Sequence, residues 1–125
     1  MPVEIKKRRE QVSIEAFRRI ADRWGLTIDQ QATILGTPVR TVYRWYKQPE
    51  RAEPDRDKIE RISYVLGILG GLAKVYGNNA NADAWLRRPN EHFGSRTPLD
   101  RMLDGNVGDL AEVRAYVDRF ANVIW

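Results

Sequence analysis

The 125-residue chain has no cysteine and only one histidine, His92. Lack of cysteine excludes disulfides and thiolate metal sites, and it fits a protein of the cytoplasm. With a single histidine there is no partner for paired acid–base or nucleophile chemistry. No serine lies on an elbow motif, and no phosphate-cradling glycine loop follows a strand. His92 therefore reads as a loop or surface residue, and the expectation is a non-enzymatic protein that needs no metal or cofactor. No apolar run reaches the roughly 18 residues of a membrane span. The start, MPVEIKKRRE, is basic but has no apolar segment behind it, so it is not a secretory signal. Also missing is any strand-length alternation of apolar and polar residues with hairpin turns. The expected class is all-α, with about seven helices.

Charge is present in one half and missing from the other. Of a net charge of +4, the stretch from Met1 to Lys47 carries ten cations against five anions. The remainder carries eleven cations against twelve anions. A basic half of this kind suits a polyanion such as DNA, whose affinity comes largely from phosphate neutralisation and counterion release.

Within that half, TIDQQATILGTPVRTVYRWYK (27–47) reads as a helix, a tight turn and a second helix. Thr27 is a helix N-cap residue. Ala32, Ile34 and Leu35 form an apolar side, and Gly36 ends the helix. Thr37 is expected to cap the next helix, with Pro38 at its first position. Two short helices joined through a glycine, the second bearing arginines, form a helix-turn-helix signature. A plain helical hairpin is the bland alternative. In the second helix, Val42 and Trp45 should face inward. Pro38, Val39, Arg40, Tyr43, Arg44 and Lys47 share the outward side, and Tyr46 fits either. Arg40 and Arg44 lie one turn apart, so both can read guanine in one major groove. Val39 and Thr41 are placed for thymine methyls. Tyr43 and Lys47 are placed for phosphates, as are the amides near Thr27 and Thr37. One such unit buries too little surface for tight specific binding, so a homodimer on a near-palindromic double-stranded DNA operator is expected.

Around the motif, Lys6 to Glu10 is expected to be a frayed arm and Ser13 to begin the first helix. Its apolar face is Ile14, Phe17, Ile20, Ala21 and Trp24. QPERAEPDRD (48–57) is a turn or linker, which places the domain boundary at 54/55: residues 1–54 the helix-turn-helix domain and 55–125 a helical dimerisation and partner-binding domain. A long helix from Asp55 or Asp57 to about Tyr76 contains Gly67, Gly70 and Gly71. These make sense where another backbone packs closely or the helix kinks. Asn81 or Asp83 is expected to cap a short helix ending near Arg88. Thr97 caps another with Asp100 in its first turn, and Asp109 caps the last. Trp85, Leu86, Phe93, Leu99, Met102 and Leu103 read as core. Arg96 and Asp100 are expected to form a local ion pair. The chain ends apolar, Val123, Ile124 and Trp125, a segment to be buried in a partner or in its own core.

AWLRRPNEHFGSRTPLDRML (84–103) adds a resemblance. Trp85-Leu86, Pro89-Asn90, Phe93-Gly94, Arg96-Thr97-Pro98-Leu99-Asp100, Met102-Leu103 and then Gly105 are similar to the pattern of the Xre/MbcA/ParS-type antitoxins. Ser95 stands where a second glycine is common, and the ANVIW ending departs from the family's glycine-containing tail. The resemblance runs from about Ser13 to the end. It implies a helix-turn-helix domain followed by a small toxin-binding domain. It further implies a type II antitoxin that neutralises a RES-domain, NAD-consuming toxin and represses its own operon. Toxin contacts would then come from Arg96, Asp100, Val123, Ile124 and Trp125. Such a protein is cytoplasmic, nucleoid-associated when on its operator. A stand-alone phage-type repressor with a C-terminal dimerisation domain is the alternative.

Overall fold

The computed structural model describes residues 2–124, with side chains described through Asn122. Among them are seven α-helices and no strand, as the missing alternation requires. None of these helices is long and apolar enough to cross a membrane. The chain forms two compact units, Met1–Ser63 and Tyr64–Trp125. The expected boundary at 54/55 sits just ahead of helix α4 (Arg56–Val75), and the compact units divide inside that helix.

The first unit begins with α1, Val3–Arg23. The charged run Lys6–Glu10 is thus helical, because lysine, arginine and glutamate are good helix formers and charge alone does not unwind a helix. Ile14, Phe17, Ile20 and Ala21 of α1 are buried, and Trp24 joins them. Helix α2 (Ile28–Leu35) opens on a capping box. Thr27 Oγ1 accepts from the Gln30 amide at 3.1 Å, and Gln30 Oε1 accepts from the Thr27 amide at 2.9 Å. Gly36 ends it at φ 68°, the left-handed region that glycine enters without a Cβ penalty. Helix α3 is Val39–Lys47.

The start of α3 corrects one expectation. Thr37 does not cap it, and Pro38 occupies the cap position itself with ψ 151°. The Pro38 carbonyl receives the Thr41 and Val42 amides, while the Thr37 amide turns back to the Ala32 carbonyl at 3.1 Å. A residue before proline is pushed out of helical geometry, so Thr37 serves the end of α2. A 3₁₀ turn at Pro49–Arg51 follows, and Arg61 from the start of α4 completes the unit.

In the second unit, Gly67 and Gly71 of α4 admit α7 (Val107–Ile124). A Cβ on Gly67 would stand 2.4 Å from Arg114 Nε, and one on Gly71 2.4 Å from Val117 Cγ1. What lies against these two glycines is side chain of α7, not the second backbone expected there, and Gly70 meets nothing within 4 Å. Helix α5 (Asn79–Trp85) is capped by Asn78, whose side chain accepts from the Asn81 amide, so neither Asn81 nor Asp83 is the cap. Helix α6 (Pro98–Met102) carries the expected Thr97–Asp100 capping box. Asp109 lies inside α7, three residues past the cap position expected for it, and its carboxylate accepts from the Asn106 amide at 3.1 Å. The core of this unit includes Ile68, Leu72, Leu86, Phe93, Leu99, Met102, Leu110 and Val113. Trp85 and Leu103, expected there, are only partly covered.

Candidate functional sites

The first site is the face of α3. Val42 and Trp45 are buried, and this seats the helix. Pro38, Arg40, Tyr43, Arg44 and Lys47 are exposed, and Thr37, Val39 and Thr41 are half-buried. Arg40, Tyr43, Arg44 and Lys47 thus occupy one accessible face of α3, with Val39 and Thr41 at its edges. Tyr46 turns inward. Its hydroxyl donates to Gln31 Oε1 at 2.7 Å, and Gln31 Nε2 donates to the Leu26 carbonyl at 2.9 Å. Burial pushes the Tyr46 pKa well above the ordinary phenol value; Arg18 opposes this and Asp22 reinforces it. Tyr46 therefore stays a neutral donor that pins α3 to α2. Thr27 is exposed, but its own amide and that of Gln30 are already engaged in the capping box.

Sequence reasoning placed Arg51 in a linker and Lys7 in an arm. Both line a groove of about 550 Å³ with Arg44, which brings cations from α1 and the 3₁₀ turn to the rim of α3. Glu50 and Glu53 share the groove and offset part of that charge. No local signal joins Lys7 to Arg44, because their proximity depends on α1 folding back over the motif.

The turn between α2 and α3 is held by a buried cation that the sequence did not single out. Arg61 is 9% exposed; its Nη1 donates to the Ile34 carbonyl at 3.2 Å and its Nε to Asp57 Oδ2 at 3.0 Å. A positive charge at the carbonyl end of α2 complements the helix dipole.

The second site is the surface built by 84–103 with α7. The expected Arg96–Asp100 pair is not formed. Arg96 instead forks onto Asp104, with Nη2 2.8 Å from Oδ1 and Nη1 3.0 Å from Oδ2. Its contact with Asp100 is to the main-chain carbonyl, at 2.9 Å, while the Asp100 carboxylate accepts from the Thr97 amide at 3.1 Å. Asp100 is committed to the cap, which leaves Asp104 as the acceptor. The Arg96 hydrogen bond holds the Asp104 carboxyl below its ordinary range, and Arg96 is raised in turn. The 89–96 loop closes through Asn90. Its amide donates to the Arg96 carbonyl at 3.0 Å, and its carbonyl accepts from the Ser95 amide at 3.0 Å. Ser95 is left-handed at φ 65°.

His92 is not isolated. Its ring stacks on Tyr116 at 4.3 Å, and Tyr116 also meets Phe93 at 5.3 Å and Phe120 at 4.9 Å. Trp85 stacks on the same tyrosine at 6.2 Å. Arg101 and His92 both approach Glu112. This aromatic cluster was not legible as one site, since its members come from α5, the loop and α7. Of the tail residues, Val123 and Ile124 end α7. Their side chains and all of Trp125 lie outside the described residues.

Comparisons with known proteins match both parts of the chain. Residues 4–67 match the antitoxin Xre-like helix-turn-helix domain. Residues 72–122 match the antitoxin Xre/MbcA/ParS C-terminal toxin-binding domain. The uncharacterized protein y4oB of Sinorhizobium fredii is 42% identical over 105 residues, covering 84% of this chain and 81% of that protein. A chain in the crystal structure of the M. tuberculosis MbcT–MbcA toxin–antitoxin complex has the same fold. Its TM-score is 0.59 at 24% identity, over 92% of this chain and 96% of that one. The chain belongs to the Xre-like antitoxin family, with an Xre-like helix-turn-helix domain followed by an Xre/MbcA/ParS C-terminal toxin-binding domain, and is an antitoxin of a toxin–antitoxin system.

Proposed function

We propose that this antitoxin neutralises a RES-domain, NAD-consuming toxin and represses its own operon as a homodimer bound to double-stranded DNA in the cytoplasm. The observation that carries the DNA half is the exposed row of Arg40, Tyr43, Arg44 and Lys47 on a helix seated by Val42 and Trp45. Arg40 and Arg44 read guanine edges, and Val39 and Thr41 contact thymine methyls. Tyr43, Lys47, Thr27, Thr37 and Pro38 lie along the backbone, where Lys7 and Arg51 extend the phosphate contacts.

The toxin half rests on the matched toxin-binding domain and on a similar fold solved within a toxin–antitoxin complex. The RES identity rests on the resemblance of the 84–103 motif. In this reading Arg96, Asp100 and the apolar tail Val123–Trp125 face the toxin.

One experiment addresses each half. Fluorescence anisotropy on the DNA upstream of the operon should show Arg40→Ala and Arg44→Ala each weakening operator binding by about 1–3 kcal/mol. Growth rescue from the toxin should survive both changes. Deletion of residues 123–125 should show the reverse: rescue lost, operator binding retained. Operator binding unaltered by both arginine changes sinks the DNA reading, and full rescue by the truncated chain sinks the inhibitory tail.

A further inference from the structure

The toxin-binding unit carries an apolar groove that lies mostly outside the 84–103 motif, which supplies only Trp85 to it. It is lined by Leu72, Val75 and Tyr76 from the end of α4, by Trp85 of α5, and by Tyr116, Val117 and Phe120 of α7. Its volume is about 250 Å³, below the roughly 300–1,000 Å³ of clefts that hold small molecules. It has room for one or two side chains. Phe120 is 48% exposed on its edge, an unusual position for a large aromatic unless a partner covers it. The lining is braced from behind, since Tyr116 is stacked between Trp85 and His92 and touches Phe93. A preformed aromatic pocket with an exposed lip is the usual form of an interface hot spot, because little ordering cost remains on binding.

The surroundings identify the occupant. Arg88 stands on the rim, with Nη2 donating to the Tyr76 hydroxyl at 3.2 Å and its guanidinium 5.9 Å from that ring's centre. Lys74 and Arg119, both exposed, neighbour the lining residues in sequence, while Asp118 is paired with Arg114. Every lining residue falls within the matched toxin-binding domain, 72–122. We infer that this groove receives an apolar side chain of the toxin, from a segment whose flanking residues are acidic. This rests on the toxin reading above and adds a second anchor to it.

The test measures binding of the full-length chain to the purified RES-domain protein encoded beside it. Phe120→Ser and Tyr76→Ser, lining residues from different segments, should each raise the Kd by about 30-fold, the size of a hot-spot loss. Phe120→Leu should stay within about threefold, since it keeps the apolar contact. Arg88→Glu is exposed, so it tests the acidic flank without disturbing the core, and should raise the Kd by about tenfold. Folding of each variant is checked by circular dichroism. Folded serine variants that bind like wild type overturn the inference and leave the toxin reading intact. Serine variants that turn a dimer into a monomer with toxin affinity unchanged make the groove a self-interface, which also overturns it. A wild-type chain that does not bind the RES-domain protein overturns both readings.

Discussion

Gly36 is the residue on which the angle between α2 and α3 depends, and its replacement by alanine can be worked through. Two costs are separable. The first is conformational: at φ 68° an alanine is left-handed, which costs roughly 1–2 kcal/mol. The second is steric. A Cβ at Gly36 would stand 2.7 Å from Arg61 Cζ, 2.9 Å from Nη1 and 3.0 Å from Nε. A guanidinium can normally swing away, but this one is buried and tied to the Ile34 carbonyl and Asp57. Moving it gives up a charge-assisted hydrogen bond of about 1.5–3 kcal/mol. Gly36→Ala should therefore cost about 2.5–5 kcal/mol. Gly94 supplies the internal control: it also has φ 68°, yet a Cβ there meets nothing within 4 Å. Gly94→Ala should cost only the conformational part. Equilibrium urea denaturation, followed by circular dichroism, measures both. An Arg61→Leu background should then remove most of the excess at Gly36, a coupling that a double-mutant cycle reads directly. Equal costs for the two alanines would refute the idea that Arg61 locks the turn.

Four further outcomes follow from the second unit. Gly71→Ala drives a Cβ to 2.4 Å from Val117 Cγ1 and should destabilise by about 1–3 kcal/mol. One residue earlier, Gly70→Ala meets open space and should stabilise by up to about 1 kcal/mol; thermal melts give the two opposite signs. Ser95→Gly relieves a left-handed serine and should raise stability by about 0.5–1 kcal/mol in the same melts, a gain that an unchanged melting temperature would deny. For Asp104, the folded carboxyl lies below its ordinary value of 3.8 because Arg96 is bonded to it. A depressed acid stabilises the fold above its unfolded pKa and loses that contribution as pH falls through the lower folded value. Asp104→Asn should flatten this part of the acid limb below about pH 4 and change little in the slope above about pH 6. A wild-type acid limb in the variant would show that the pair does not couple to folding.

The features readable from the sequence share a physical basis. Thr27 with Gln30 and Thr97 with Asp100 act over three residues, so their caps depend on almost nothing distant. The periodic stripes of α1 and α4 were equally visible, because a buried face must recur every three or four positions. The errors at Thr37 and Asp109 are local as well. A threonine or aspartate near a helix start has two competing roles: Pro38 turned Thr37 back to the end of α2, and the reachable Asn106 amide drew the Asp109 carboxylate from inside α7. What could not be read is every partnership made through space. Arg61 reaches Ile34 across 27 positions and Tyr116 reaches Asn90 across 26.

The Arg96 pairing shows why charge spacing alone misleads. Arg96 and Asp100 have the four-residue separation that favours a pair on a helix. That rule requires both residues to lie within one helix, and Arg96 precedes the Thr97 cap of α6. Its side chain instead runs alongside a five-residue helix and meets Asp104 just beyond the other end, using the Asp100 carbonyl on the way. Capping and ion pairing competed for Asp100, and the cap won because its partner amide is held within reach by the backbone. An arginine placed by a fixed loop could still take the next carboxylate at little cost. The motif positions that resemble the antitoxin family thus form one small clasp: Thr97 and Asp100 set the helix, and Arg96 closes it onto Asp104. In this clasp Asp100 commits Oδ2 to the Thr97 amide, while Arg96 is held by both Asp104 oxygens and by the Asp100 carbonyl; among the residues proposed to face the toxin, Asp100 can therefore offer its second carboxylate oxygen without loosening α6, whereas Arg96 must give up a bond to Asp104 to gain a new partner.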